Sequence, residues 1–316
     1  MLFSRARRRI TNRRRRNADG TPAPLGDAVA DADAAGKSPA DLADERKILT
    51  DAQLAEWNEN GYLVLPRFMP WGRLKELNDE LDGLWRDRKK DDRGLVIDVF
   101  TGTHRERRIP LAKATDRARA KPYKLNDLYL VSNTVRETLL DPELVETYDD
   151  LLEGAPILVN SVSMERGSQQ RLHTDSLYIA PTEVGRMVGA MVLLEDVQPG
   201  SGPFRYYPGS HTIPPYTFSD GRIELTEDEV ADFDGYVAGQ IAERELEAVE
   251  LTGNAGDVFI WHAQLLNAGT PIEDLALTQK AIVAHYLRAK DVDPGVRADI
   301  GGDRYYMERE HQPINP

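Results

Sequence analysis

Apolar residues recur along the chain with two periods, and the change falls near residue 155. Before it the spacing is helical. Thr50, followed by Asp51, Ala52 and Gln53, predicts an N-cap with a Gln at the third helical position. Leu54 and Trp57 give that helix an apolar face, and Gly61 closes it. Residues 62–65, Tyr-Leu-Val-Leu, read as a short buried strand stopped by Pro66. In residues 71–85, Leu74, Leu77, Leu81 and Leu84 repeat at intervals of three and four, the signature of an amphipathic helix with a core face. Residues 141–152 carry the same spacing up to Gly154. Residues 94–130 mix turn and basic positions and predict a solvated loop. Its cluster His104, Arg105, Arg107 and Arg108 is a second-choice site for an acidic substrate.

After residue 155 the period shortens. Residues 157–164, 186–194, 204–207, 248–251, 258–261 and 280–286 are short runs rich in Val, Ile, Tyr and Phe. Gly167, Pro199-Gly200, Pro208-Gly209, Gly253, Gly256 and Gly269 separate them. Many short strands punctuated in this way predict a sandwich or barrel. Helices first and strands afterwards predict a mainly β fold with helices flanking one side. No internal repeat is present.

Composition narrows the function. With 41% hydrophobic and 29% charged residues in 316, the chain can bury a sizeable core. No apolar run approaches the roughly 18 to 20 residues needed to span a bilayer. The net charge of −13 argues against specific nucleic-acid binding. Cys is absent, which excludes disulfides, iron–sulfur clusters, thiolate zinc sites and Cys nucleophiles. Residues 1–16 hold eight Arg and no acid, without the apolar stretch of a secretory signal. Together with the Ala- and Asp-rich residues that follow, they predict a disordered tail over 1–46. An ordered domain is expected over 47–295 and a C-terminal extension over 296–316. The missing Cys and signal suit a reducing cytoplasm.

The sharpest chemistry lies in Gln170-Arg171-Leu172-His173-Thr174-Asp175. Residues two apart in an extended segment point to the same side, so His173 and Asp175 offer an imidazole and a carboxylate to one point. That is two thirds of the facial triad that holds non-haem Fe(II). The alternative is a structural pair in which Asp175 orients His173. No Gly-X-Ser-X-Gly elbow and no phosphate-binding Gly loop is present.

Further motifs follow in order. Tyr178 comes first, then Ser201-Gly202-Pro203-Phe204 with Tyr207-Pro208-Gly209-Ser210-His211, then Gly256-Asp257-Val258-Phe259-Ile260-Trp261-His262. Upstream stands Trp57-Asn58-Glu59-Asn60-Gly61-Tyr62-Leu63-Val64-Leu65. With His173-Thr174-Asp175, these resemble the phytanoyl-CoA dioxygenase family over about residues 49–290. The resemblance implies a double-stranded β-helix, or jelly roll. It also implies Fe(II), 2-oxoglutarate and O2, used to hydroxylate a small organic substrate.

Two positions depart from the family. Its second His ligand falls on Asn267, ten residues after Asp257. An amide oxygen is a neutral and weaker donor than imidazole. The Arg that clamps 2-oxoglutarate falls on Gln279, which brings no charge. Lys280 stands beside it, on the other face unless a bulge shifts the register, and Lys124 is a further candidate. The oxygenase reading therefore uses His173, Asp175 and Asn267 for metal, with Gln279, Lys280 and Lys124 for cosubstrate. Tyr178 and Arg186 would line the substrate pocket. A second reading is a catalytically impaired relative acting as a binding or partner protein. A third, a metal-dependent isomerase or hydrolase, would recruit His262. His211 is read as structural, and His285 as packed or hydrogen-bonded on the face of Gln279.

Overall fold

The computed structural model describes residues 47–102, 105–311 and 313–314. The tail expected over 1–46 and His104 lie outside the described residues. Helix α1 (Asp51–Asn60) opens with the expected capping box, in which Thr50 and Gln53 satisfy each other's backbone N–H groups. Gly61 ends it at φ 77°, where a Cβ would stand 2.4 Å from the His211 ring, so both conformation and space require Gly. Strand β1 (Tyr62–Leu65) follows, then α2 (Trp71–Asp87), which buries Leu74, Leu77, Leu81, Leu84 and Trp85.

The stretch expected to be a loop folds instead into β2 (Val96–Gly102), β3 (Arg105–Pro110), the short α3 (Asp116–Arg119) and β4 (Tyr123–Asn126). Val96, Ile97, Val99 and Phe100 drive β2 inside. The charged β3 pairs with β2 and forms one end of the sheet path, where one face and one edge are free to carry polar residues. Helices α4 (Asn133–Leu139) and α5 (Pro142–Leu152) lead into β5 (Pro156–Met164). The remaining elements are β6 (Met187–Leu193), β7 (Phe204–Tyr206), α6 (Val230–Glu243), β8 (Val249–Glu250), β9 (Val258–His262), β10 (Asn267–Gly269), β11 (Ala281–Arg288), β12 (Arg297–Asp299) and β13 (Tyr305–Met307).

Among the described residues ten strands form a large sheet, with path β1-β9-β6-β11-β5-β4-β2-β3 and β13 joining β5. A small sheet runs β10-β7-β8. The two make a jelly roll with helices packed on the outer face of the large sheet. Alternation along β11 sets the layers. Ile282, Ala284 and Tyr286 belong to the helical core with α2 and α5, whereas Val283 and His285 face the interior between the sheets. The last segment is not a free extension: β13 is part of the sheet, and the Tyr129 hydroxyl donates to the Met307 carbonyl at 2.9 Å. No helix among the described residues is long and apolar enough to cross a membrane.

Candidate functional site

A cavity lies between the two sheets. The large sheet contributes Asn160 and Val162 of β5, Trp261 of β9 and His285 of β11, and the small sheet contributes Phe204 and Asn267. Outside any strand, His173 is tied to Asn267 by reciprocal backbone hydrogen bonds of 2.9 and 2.8 Å. This bridge sets the His173 and Asn267 side chains at the same wall. Two residues on, Asp175 opens a short 3-10 turn, Asp175–Leu177. The structure thus brings together the three residues assigned to metal, with His173 Nε2 3.4 Å from Asp175 Oδ1.

What surrounds Asp175 is a set of protein donors. Trp261 Nε1 donates to Oδ2 at 2.6 Å, and His285 Nε2 stands 3.3 Å from the same oxygen. The Asn267 amide nitrogen donates to Oδ1 at 3.3 Å and to the Leu265 carbonyl at 3.1 Å. Both partners are acceptors, so the amide presents its N–H side, not its oxygen, to the carboxylate. Burial opposes the charged form of Asp175. Hydrogen bonds and positive charge from the flanking imidazoles of His173 and His285 outweigh burial and hold its carboxyl well below the usual carboxylate range.

The polarity of the surrounding network follows from groups that play only one role. Asp127 is buried, pairs with Arg309 at 2.8 Å, and accepts from the Asn160 amide nitrogen at 3.3 Å. Asn160 Oδ1 therefore faces His285 Nδ1, at 3.1 Å. With acceptors at both nitrogens, the His285 ring is held between Asn160 and Asp175 and donates to the carboxylate through Nε2. On the other side, Lys124 donates to Glu106 at 2.8 Å and to Gln170 Oε1 at 3.0 Å. The Gln170 amide nitrogen is then left facing His173 Nε2 at 3.2 Å. His173 Nδ1 donates to the Arg171 carbonyl at 2.7 Å. With Nδ1 as the donor, Nε2 accepts from the Gln170 amide and is engaged.

These residues do not fit an iron centre. Asn267 turns its donor side inward, and although His173 and His285 both stand beside Asp175, their Nε2 atoms are engaged by Gln170 and by the carboxylate itself, so among the described residues no group of three is placed to hold a metal ion. They do not fit 2-oxoglutarate either. Gln279 lines the cavity, but its side-chain oxygen is buried without a partner. Lys124 is there, already committed to Glu106 and Gln170. Lys280 lines a separate surface depression with Arg119 and Arg166. The register shift of β11 against β5 falls between His285 and Tyr286, too far along to turn Lys280 inward. Tyr178 lines the cavity, its ring 5.2 Å edge-on from His173. Arg186 lies elsewhere, paired with Glu153 at 2.6 Å and Glu183 at 3.3 Å.

His262 is not in this cluster either. It packs against His211 and Trp57, with ring centroids 5.3 and 5.9 Å away. Burial, then the charges of His211 and Arg186, push it down to about 4. Its unfolded value is near 6.5. The folded pKa is depressed, so the unfolded chain takes the proton first, and stability falls as pH drops from about 6.5 towards 4. The expected loss by pH 4 is on the order of 3 kcal/mol. Urea denaturation across this range should show the slope, and His262→Phe should flatten it. An unchanged slope in that variant would assign the acid sensitivity to other groups.

The phytanoyl-CoA dioxygenase family model matches residues 57–273. The chain belongs to that family. Solved structures with this fold include the "non-heme alpha ketoglutarate dependent epimerase SnoN from nogalamycin biosynthesis", 18% identical with a TM-score of 0.56. That match covers 86% of this chain and 100% of SnoN. The "non-heme alpha ketoglutarate dependent carbocyclase SnoK" is 15% identical with a TM-score of 0.59, over 83% of this chain and 97% of SnoK. EctD from S. alaskensis, solved with bound Fe, is 16% identical with a TM-score of 0.55, over 78% and 81% of the two chains. No curated protein matches the chain. At these identities the likeness is one of fold. The family and its structural neighbours are of the iron- and 2-oxoglutarate-dependent oxygenase type.

Trp261 is the Asp175 partner that sequence reasoning missed. His285, expected to be packed or hydrogen-bonded on the face of Gln279, does line the cavity with it and is hydrogen-bonded, its partners Asn160 and Asp175 being visible only in the fold.

Proposed function

We propose that this family member is a cytoplasmic small-molecule-binding protein that keeps the oxygenase pocket without the iron and 2-oxoglutarate chemistry. The observation that carries this reading is the state of Asp175. Its two oxygens are occupied by Trp261, His285 and Asn267, all groups of the protein itself. A metal ion would have to displace these donors and leave them without a partner. The substitutions at 267 and 279 point the same way, since each removes a group from one half of the same reaction.

The second reading is an Fe(II)-, 2-oxoglutarate- and O2-dependent dioxygenase hydroxylating a small organic substrate. It has one observation in its favour: the Arg171 carbonyl fixes the His173 ring with Nε2 towards Asp175, the orientation a ligand pair needs. Anaerobic titration of the protein with Fe(II), then 2-oxoglutarate, separates the two. The expected result is no saturable visible charge-transfer band. A band that appears and saturates would overturn the binding-protein reading and restore the dioxygenase.

A further inference from the structure

We infer that Arg309, which does not line the cavity, is a positioning residue for the candidate site. Strand β13 pairs in parallel with β5, Tyr305 against Ile157 and Tyr306 against Leu158. That register carries the residues after β13 towards Asn160 and brings Arg309 Nη2 to 2.8 Å from Asp127 Oδ2. Among the described residues Arg309 is the one cation bonded to this carboxylate, which is fully buried. A charge in that position is tolerated only when it is paired and hydrogen-bonded. The other oxygen, Oδ1, accepts from the Ser161 backbone N–H and from the Asn160 amide nitrogen, both at 3.3 Å.

From there each link is a side chain with two engaged ends. Asn160 commits its nitrogen to Asp127 and so turns its oxygen to His285 Nδ1, at 3.1 Å. His285 presents Nε2 to Asp175 Oδ2, at 3.3 Å, the oxygen that also accepts from Trp261 Nε1. Without Arg309, Asp127 is left buried and uncompensated. A carboxylate in that state moves or takes a proton, and in either case it stops fixing the Asn160 amide. The amide is then free to reverse and meet the ring with an N–H, and the His285 contact with Asp175 loosens. The segment after β13 is thus a handle on the site: whatever displaces Arg309 reaches Asp175 through three side chains. These contacts all lie within the protein and do not depend on what the cavity binds.

The indole N–H of Trp261 reads the far end of this connection, because it shares Asp175 Oδ2 with His285. The chain has four Trp, so NMR of the isotope-labelled, full-length, metal-free protein gives four indole signals. R309M keeps an apolar stem and removes the charge. It should displace the Trp261 signal and leave those of Trp57 and Trp71 in place. D127N/R309M removes both charges and should return the Trp261 signal to its wild-type position, since a neutral side chain at 127 needs no cation. A packing role for Arg309 predicts no such rescue. Melting curves show whether each variant is folded. If R309M does not fold, a folded D127N/R309M with the wild-type Trp261 signal still supports the inference. An unmoved Trp261 signal in folded R309M would overturn it, as would a double variant that is unfolded or keeps the displaced signal.

Discussion

His285→Phe is expected to destabilise the protein by about 1–3 kcal/mol at neutral pH, the range for leaving a buried hydrogen-bonding group without its partner. The ring stands between two buried acceptors, Asn160 Oδ1 at 3.1 Å and Asp175 Oδ2 at 3.3 Å. Phe fills the space and supplies neither proton. Asp175 keeps Trp261 and Asn267 as donors, yet it loses the imidazole beside it, and Asn160 Oδ1 loses its contact with the ring. The effect has a signed pH dependence. A depressed folded pKa gives Asp175 a stabilising contribution that is present above the unfolded value and lost as pH falls through the folded one. Without His285 that loss should begin at higher pH. Urea denaturation from neutral to acidic pH reads both effects. Asp175→Asn combined with His285→Phe should cost less than the sum of the two single changes, because each single change deprives the other residue of a partner that the double change no longer needs. A His285→Phe variant as stable as wild type would remove the basis for treating the imidazole as a stabilising partner of Asp175.

The first half of the chain was legible where one face of an element is buried and the other is not. The helices Asp51–Asn60, Trp71–Asp87 and Pro142–Leu152 show their Leu and Trp stripes directly. Arg105–Pro110 did not read as a strand because an edge strand with Arg and Glu along it carries little apolar alternation. Its partner, Val96–Gly102, has a plain apolar run that the surrounding charges obscured. Helix Val230–Glu243 buries only Phe233 and Val237, and its Gly235 and Gly239 lower the helical signal. The site divides in the same way. His173 and Asp175 are two residues apart, so local geometry joins them, and Asn267 was reached by counting from Asp257. Trp261 and His285 contact Asp175 across 86 and 110 residues of chain, contacts that only the folded sheet creates. They are also the contacts that change the meaning of the site: a His-X-Asp pair open to metal and one closed by an indole and an imidazole are the same motif.

Asn267→His combined with Gln279→Arg is expected to convert the cavity into one that holds Fe(II) and 2-oxoglutarate. Both positions line it, so both longer side chains enter open space rather than packed core. At 267 the substitution deletes the amide that donates to Asp175 and supplies an imidazole nitrogen in its place. At 279 it replaces a neutral group by a planar cation that pairs a carboxylate through two hydrogen bonds. Charge-assisted hydrogen bonds contribute about 1.5–3 kcal/mol, so Gln279→Arg should tighten 2-oxoglutarate roughly 10- to 100-fold in the Asn267→His background. The two changes should not act independently, because each serves a ligand that the other recruits. Asn267→His alone should gain metal without the visible band, Gln279→Arg alone should gain neither, and only the double variant should show saturable absorbance after both additions. In all three His285 still competes for Asp175 Oδ2, and replacing it by Phe in the double variant should free that oxygen and tighten the metal further if the fold survives. If the double variant binds neither, the obstacle lies deeper than the two exchanged residues, in the closed network of Trp261, His285 and Gln170 around His173 and Asp175. If Asn267→His leaves metal binding as it was in wild type, then position 267 was never what kept the metal out.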